Sequence, residues 1–253
     1  MLNYIKSECY RITHTKEIYG ITGALLALLA AVHLVLYFFG GQYATSSYSY
    51  SNLVSNPMAY AVMGWVMAAV LYEGSMRNGS MKNTLSGGLS RNKIFFGKCT
   101  VALFASTVVM AVVIGVWAVA AQSMLSKTGP VQCTDFLMEV PAVYLIAAAG
   151  LISAILFQEI FEKNVVGIIV WASVWFLIPK AFLYLAMRFE AAYGIALWMP
   201  ANLFSVNQLH VNTQECITIW DSVGGMQKCV LTGALGTVIF LFLGAVLLQK
   251  KEL

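Results

Sequence analysis

Residues 57–123 read PMAYAVMGWVMAAVLYEGSMRNGSMKNTLSGGLSRNKIFFGKCTVALFASTVVMAVVIGVWAVAAQS, two long apolar runs parted by the polar, turn-rich interruption EGSMRNGSMKNTLSGGLSRNKIFFGK at 73–98. A hydrocarbon layer of ~30 Å is crossed by roughly 20 apolar residues, each rising ~1.5 Å along a helix. The runs at 57–73 and 97–123 suit that task. Backbone in lipid must satisfy its own amides, which makes each run a helix. The interruption carries Arg77, Lys82, Arg91, Lys93 and Lys98. Such a basic, glycine-rich segment between two spans is expected on one membrane face, open to another protein.

Four further runs, at 19–39, 139–160, 164–187 and 229–249, repeat the pattern. None shows the strict alternation of a strand. With 60% apolar residues, 10% charged residues and a mean hydropathy of +0.77, the chain has too little polar surface to coat a soluble globule of 253 residues. The expected fold class is all-α integral membrane, with six transmembrane helices in a single transmembrane domain over 1–253.

The cations orient those spans. The N-terminus, the second-to-third and fourth-to-fifth connections and the C-terminus share one side. That side holds Lys6, Arg11, Lys16, Arg77, Lys82, Arg91, Lys93, Lys98, Lys163, Lys250 and Lys251, eleven of the fifteen Lys and Arg. Lys127, Arg188 and Lys228 fall on the other side, and Lys180 falls within the fifth run. By the positive-inside rule both termini are expected in the cytoplasm of a multi-pass protein of the cell membrane. The net charge of +4 is then a topology signal. A nucleic-acid partner would need a basic patch on a soluble domain, and none is expected here.

Residues 1–17 lack the central apolar region of a cleavable signal. Leu2, Ile5, Cys9 and Ile12 recur at helical spacing while Lys6, Glu8, Arg11 and Glu17 lie off that stripe. An amphipathic helix over 1–18, lying on the membrane surface and touching lipid, is expected. Residues 40–56, with YATSSYSYSN, read as an ordinary solvated connection. Residues 188–228 form a longer external loop, with an apolar stretch at 193–199, Pro200 and a second amphiphilic stretch through Leu209. Pieces of that size are too short to span and fit a re-entrant segment before the last helix.

Motifs for chemistry fail on inspection. Gly97-Lys98-Cys99-Thr100 resembles the end of a phosphate-binding loop, but Asn92 stands where its first glycine belongs and Cys99 where magnesium needs a hydroxyl. Asn78-Gly79-Ser80 matches a glycosylation acceptor on the side where it would not be modified. The histidines His14, His33 and His210 are scattered, and no cysteine pair has metal-ligand spacing. Cys216 and Cys229 could close a short external loop by a disulfide, with Cys133 left over. No catalytic residue, metal site or cofactor of its own is expected of this chain.

Several intramembrane residues carry two readings. Lys180, after Pro179 in the fifth run, either snorkels to the interface or lines a polar pathway, paired with Glu190. Pro179 should kink that span or free a carbonyl. His33 reads as a hydrogen-bonded core side chain, and Trp171, Trp175 and Phe176 as packing aromatics. Gly20, Ala24 and Ala27, and Ala147, Gly150 and Ala154, are the small residues that close helix packing requires.

Within the interruption, a short helix from Arg77 to Leu85, broken by Gly87-Gly88, would put Met81 and Leu85 on one face with Lys82 beside them. An apolar anchor with a charged rim is the form that inserts into a groove on a partner. The series Glu73, Arg77, Asn78-Gly79-Ser80, Lys82-Asn83, Leu85-Ser86, Ser90-Arg91, Ile94-Phe95, Lys98 resembles the first cytoplasmic loop of ABC type-2 transporter permeases, especially the bacterial peptide-antibiotic and lantibiotic export and immunity group. Ser80 stands where that family usually has Thr, and Gly87-Gly88 where a proline turn often occurs. Neither change removes a charge or an apolar anchor.

The resemblance implies a permease subunit of an ATP-driven exporter of amphiphilic peptides, antibiotics or similar hydrophobic substrates. It extends to the six-span layout, the amphipathic leading helix and the re-entrant segment. It also implies a second permease subunit, as homodimer or heterodimer, and separate ABC ATPase subunits that hold ATP and Mg, because this chain has no Walker motif. The loop, with Glu73, Arg77, Met81, Lys82, Asn83, Leu85, Ser86, Ser90, Arg91, Ile94 and Phe95, would be the ATPase-coupling element. Met63, Met67, Trp171 and Trp175, with Lys180, would line a substrate pathway between the second and fifth spans. The competing reading is an ATP-independent carrier or channel in which Lys180, Glu190 and His33 matter more than the loop.

Overall fold

The structure is a computed structural model that describes residues 1–54, 57–77, 89–161, 164–202 and 224–250. Among these residues there are no strands, and five helices are long and apolar enough to cross a membrane. They are α2 (Lys16–Phe39), α5 (Arg91–Met124), α6 (Cys133–Ile160), the fifth-run helix Val165–Ala186 and α10 (Gly225–Lys250). A sixth is reached if the bent pair α3 (Ser46–Val54) and α4 (Pro57–Arg77), which meet at 64°, is taken as one span. The chain is thus a polytopic helical protein with the length and polarity of a membrane protein.

At the centre stands α6. Of its most apolar stretch 72% is buried against the rest of the chain, compared with 11% in α2 and α10. It is sandwiched between α4 and α10. Glycines let the backbones meet: a Cβ on Gly150 would lie 2.7 Å from the Ala61 carbonyl oxygen, and one on Gly233 would lie 2.6 Å from Leu145. Gly64 returns the favour from α4, where a Cβ would fall 2.8 Å from the Leu151 nitrogen. Helices in lipid gain little from apolar burial, so close van der Waals contact through small residues has to supply the association.

Helix ends depart from the hydropathy reading. The third span starts at Arg91 rather than 97 and runs 34 residues, about 51 Å at ~1.5 Å per residue, longer than an apolar layer of ~30 Å. The fourth starts at Cys133 rather than 139, where the main-chain N–H of Gln132 donates to Asp135 (2.9 Å) in a capping box. The fifth is interrupted: α7 (Asn164–Ala172) passes through a π turn (Ser173–Leu177) into α8 (Ile178–Ala186).

The largest correction concerns residues 40–56. In place of a solvated connection there is α3, on which Ser47, Ser49, Tyr50 and Ser51 are buried. Tyr50 stacks on Phe136 of α6 at 5.2 Å, and the Ser47 hydroxyl accepts from the Val131 N–H at 3.0 Å. Ser46 N–H donates to Ser126, and Ser126 N–H to Ala44, a two-bond bridge that ties this segment to the end of α5. The serines are inside because their hydroxyls are bonded there.

Ahead of the bundle, α1 (Leu2–His14) meets α2 at Thr15, whose extended backbone breaks the helix. The apolar stripe read from the sequence is used differently from expectation. Ile5, Cys9 and Ile12 pack against the bundle, while Leu2 is exposed. On the opposite end, α9 (Glu190–Ala196) folds back along α8 and continues into a 3-10 turn (Pro200–Asn202).

Candidate functional site

The described flanks of the 78–88 loop meet in one polar cluster at the end of the bundle that carries the chain termini. The loop's incoming helix ends in Leu71, Tyr72 and the last turns of α4, and its outgoing helix begins at Arg91. Tyr72 is buried, and its hydroxyl donates to the Lys98 carbonyl at 2.8 Å. Lys98 in turn forms a salt bridge with Glu159 near the end of α6, with only 5% and 3% of the two side chains exposed. Arg11 of α1 donates to the Leu71 carbonyl at 3.0 Å and pairs with Glu8 at 2.8 Å.

Tyr72 lies close to two cations. The Arg11 guanidinium carbon sits 5.4 Å from its ring centroid and the Lys98 ammonium 5.2 Å. Both distances are within the range at which the negative ring face attracts a cation. Each cation also has a carboxylate, so the cluster is neutral overall, which makes burial of the Lys98 and Glu159 charges tolerable beside the half-buried Arg11 and Glu8. Tyr4 of α1 joins from the side. Its own burial, followed by the carboxylates of Glu8 and Glu159, pushes its phenol well above the ordinary range and keeps it protonated.

Apolar contacts complete the hub. Gly97 lies under the Tyr4 ring, whose carbons would be 2.7 and 2.8 Å from a Cβ at that position. Phe95 packs on Gly244 of α10, and Leu248 one turn later is buried. Residues 94–99 therefore touch α1, α4, α6 and α10, so a displacement of the loop's outgoing flank has four helices to act on. Among the described residues no group of three His, Cys, Asp or Glu side chains converges as metal ligands would.

Of the loop residues singled out from the sequence, Glu73 and Arg77 lie on the last turns of α4. Met81, Lys82, Asn83, Leu85 and Ser86 lie outside the described residues. Ser90 is exposed and precedes α5, and Arg91 is half-buried on its first turn. Ile94 and Phe95 are 1% exposed and packed within the chain, so they anchor the loop's base and present no surface to a second protein.

The pathway residues divide similarly. Met63 is half-buried and Met67 buried on α4, while Lys180 is exposed at the start of α8. Trp171 and Trp175 face α6: the Ser153 hydroxyl accepts from both indoles, at 3.1 and 3.0 Å, and donates to the Gly150 carbonyl at 2.9 Å. The ring that meets Trp171 from α4 is Trp65, at 6.1 Å. His33 is buried and bonded within the chain, its Nδ1 to the Leu29 carbonyl and its Nε2 to the Ser49 hydroxyl. A carbonyl only accepts, so Nδ1 carries the proton in the neutral ring and Nε2 accepts from Ser49. Cys229 is buried on α10, and Cys216 lies outside the described residues.

Sequence reading missed Lys98, Glu159, Tyr72 and Arg11 as a unit, having counted Lys98 toward topology and the loop pattern and Arg11 toward topology and the polar face of the leading helix. It also passed over Glu139, fully buried on α6 within electrostatic reach of Tyr60 on α4 and Cys229 on α10. The signal was present: Glu139 and Glu159 bracket an apolar run in a chain with only 11 acidic residues. Comparison with known proteins returns no matching family model, no matching characterised protein and no matching solved structure.

Proposed function

We propose that this chain is the membrane-spanning permease subunit of an ATP-driven ABC exporter, moving an amphiphilic peptide, antibiotic or similar hydrophobic substrate. It works as a homodimer or heterodimer of such subunits in the cell membrane, with both termini cytoplasmic. Separate ATPase subunits bind ATP and Mg and grip the coupling loop at 74–96. The observation that carries this reading is the fastening of the loop's base. Tyr72, Phe95, Gly97 and Lys98 bind its two flanks to α1, α4, α6 and α10. A loop that only joined two spans would need no such anchorage. A loop that receives a push from outside the membrane needs a stiff base, because packed helices transmit displacement only where they cannot slip.

The resemblance of residues 73–98 to type-2 permease loops supplies the partner, and the low charge content of the spans suits a hydrophobic cargo. Copurification with neighbouring gene products tests the reading. An ATPase should accompany the wild-type chain and be lost on Leu85→Asp, which places a charge on the apolar anchor. Retention of the ATPase by Leu85→Asp, or no ATPase at all, overturns it.

One observation favours a carrier that needs no ATPase, namely Glu139 buried in a membrane helix, where an ionisable group commonly marks an ion or proton path. In that case Glu139→Gln abolishes transport driven by a pH gradient in vesicles containing this chain alone.

A further inference from the structure

The two halves of the fifth span are held by different parts of the protein. Below, Trp171 and Trp175 are bolted to α6 through Ser153. Above, among the described residues, α8 packs extensively only on the π turn, on α9 and on the 3-10 turn Pro200–Asn202. The join between halves is irregular. Ile178 N–H donates to the Ser173 carbonyl, an i to i+5 bond. Pro179 has no N–H for the Trp175 carbonyl and its ring would crowd that oxygen, so the wider turn absorbs the conflict.

Asn202 then fastens the upper half. It is fully buried, and its Nδ2 donates to the Pro179 carbonyl at 2.7 Å and to the Ala196 carbonyl at 3.1 Å. Both partners only accept, which fixes the amide orientation. Pro179 lies seven residues before Ala186, so the return through α9 brings the chain back about 10 Å along the span. The 3-10 turn that carries Asn202 packs among α4, α10 and the π turn. The Asn202 Oδ1 is buried and, among the described residues, has no hydrogen-bond partner. The clasp is therefore made by the donor half of one amide, with its acceptor half unmet.

We infer that α8 and α9 form a hinged hairpin that swings about the π turn Ser173–Leu177 and is latched by Asn202, a gate at the end of the bundle remote from the chain termini. Releasing the latch frees α8 and α9 from the 3-10 turn, which stays packed among α4, α10 and the π turn. Because α8 has no comparable hold on α6, the hairpin moves without disturbing the Ser153 bolt. This inference concerns the chain's own mechanics and holds whether or not an ATPase drives it.

Hydrogen exchange on the full chain in lipid nanodiscs tests it with two variants. Asn202→Ala removes both clasping bonds and should speed exchange across 178–202 at least tenfold while 139–160 stays at the wild-type rate. Pro179→Ala restores the missing N–H, should let the span close into continuous α-helix, and should slow exchange at 173–178 several-fold. Unchanged hairpin exchange in Asn202→Ala, or acceleration shared equally by 139–160, overturns the latch. Unchanged exchange at 173–178 in Pro179→Ala overturns the hinge.

Discussion

The Tyr72 hydroxyl donates to the Lys98 carbonyl at 2.8 Å across 26 residues of sequence, so α4 and α5, the helices on either side of residues 78–88, are joined directly. The same ring holds both the Arg11 guanidinium and the Lys98 ammonium within cation–π distance. One side chain thus couples α1, α4 and α5.

Tyr72→Phe should separate the hydroxyl's part from the ring's. A neutral hydrogen bond is worth about 1 kcal/mol net, and in a chain of this size that lowers the melting temperature by about 2–4 °C. Tyr72→Ala also removes the ring that two cations contact and should cost about 3–5 kcal/mol. Thermal unfolding of both variants in one detergent decides the matter: equal losses would show that the ring contributes nothing.

The Lys98 and Glu159 pair makes a sharper prediction. Either side chain left alone is a buried, uncompensated charge, so Lys98→Met or Glu159→Leu should each destabilise by about 3–5 kcal/mol. The double variant replaces the pair by apolar groups of similar size and should recover most of that loss. Denaturant titrations of the four proteins complete the cycle, and additive losses would mean that the two charges are not coupled.

How much of this was legible follows from the range of the forces involved. Spans are set by local hydropathy, and all six apolar runs became helices, although α3 with α4 has to be counted as a bent pair for six. The break at Pro179 was legible as a kink, being a matter of nearest neighbours, whereas the start of the fourth helix at Cys133 was not foreseen. Burial of α3 was not legible either, because the Ser47 hydroxyl accepts from the Val131 N–H, 84 residues later. The salt bridge between Lys98 and Glu159 spans 61 residues. A residue's charge can be read in sequence, while its partner is chosen by packing. Of the loop anchors, Ile94 and Phe95 look alike in sequence to Met81 and Leu85, and only tertiary contact shows that the former pair is spent inside the chain.

Glycine contacts in the core predict opposite outcomes for one substitution. Gly150→Ala would put a methyl group 2.7 Å from the Ala61 carbonyl oxygen, so α4 and α6 must part, at a cost of about 1–3 kcal/mol. Gly23→Ala on α2 meets nothing within 4 Å, and alanine favours the helix by about 0.5–1 kcal/mol, so this variant should be neutral or more stable. Unfolding midpoints measured side by side check both signs.

Ser153 offers the most discriminating test of the core. Its hydroxyl accepts from Trp171 and from Trp175, but Trp171 also donates to the Gly150 carbonyl at 3.1 Å, whereas Ser153 is the acceptor of Trp175 among the described residues. Ser153→Ala should therefore orphan the Trp175 N–H and leave Trp171 bonded. An unmet buried donor costs about 1–3 kcal/mol, while removing donor and acceptor together is nearly neutral. The loss in Ser153→Ala should be largely repaired by adding Trp175→Phe, and not by adding Trp171→Phe, which sacrifices a second bond. Unfolding midpoints of the three variants, with near-ultraviolet circular dichroism to follow the indole packing, read this asymmetry. Equal repair by either phenylalanine would show that Ser153 does not distinguish the two tryptophans.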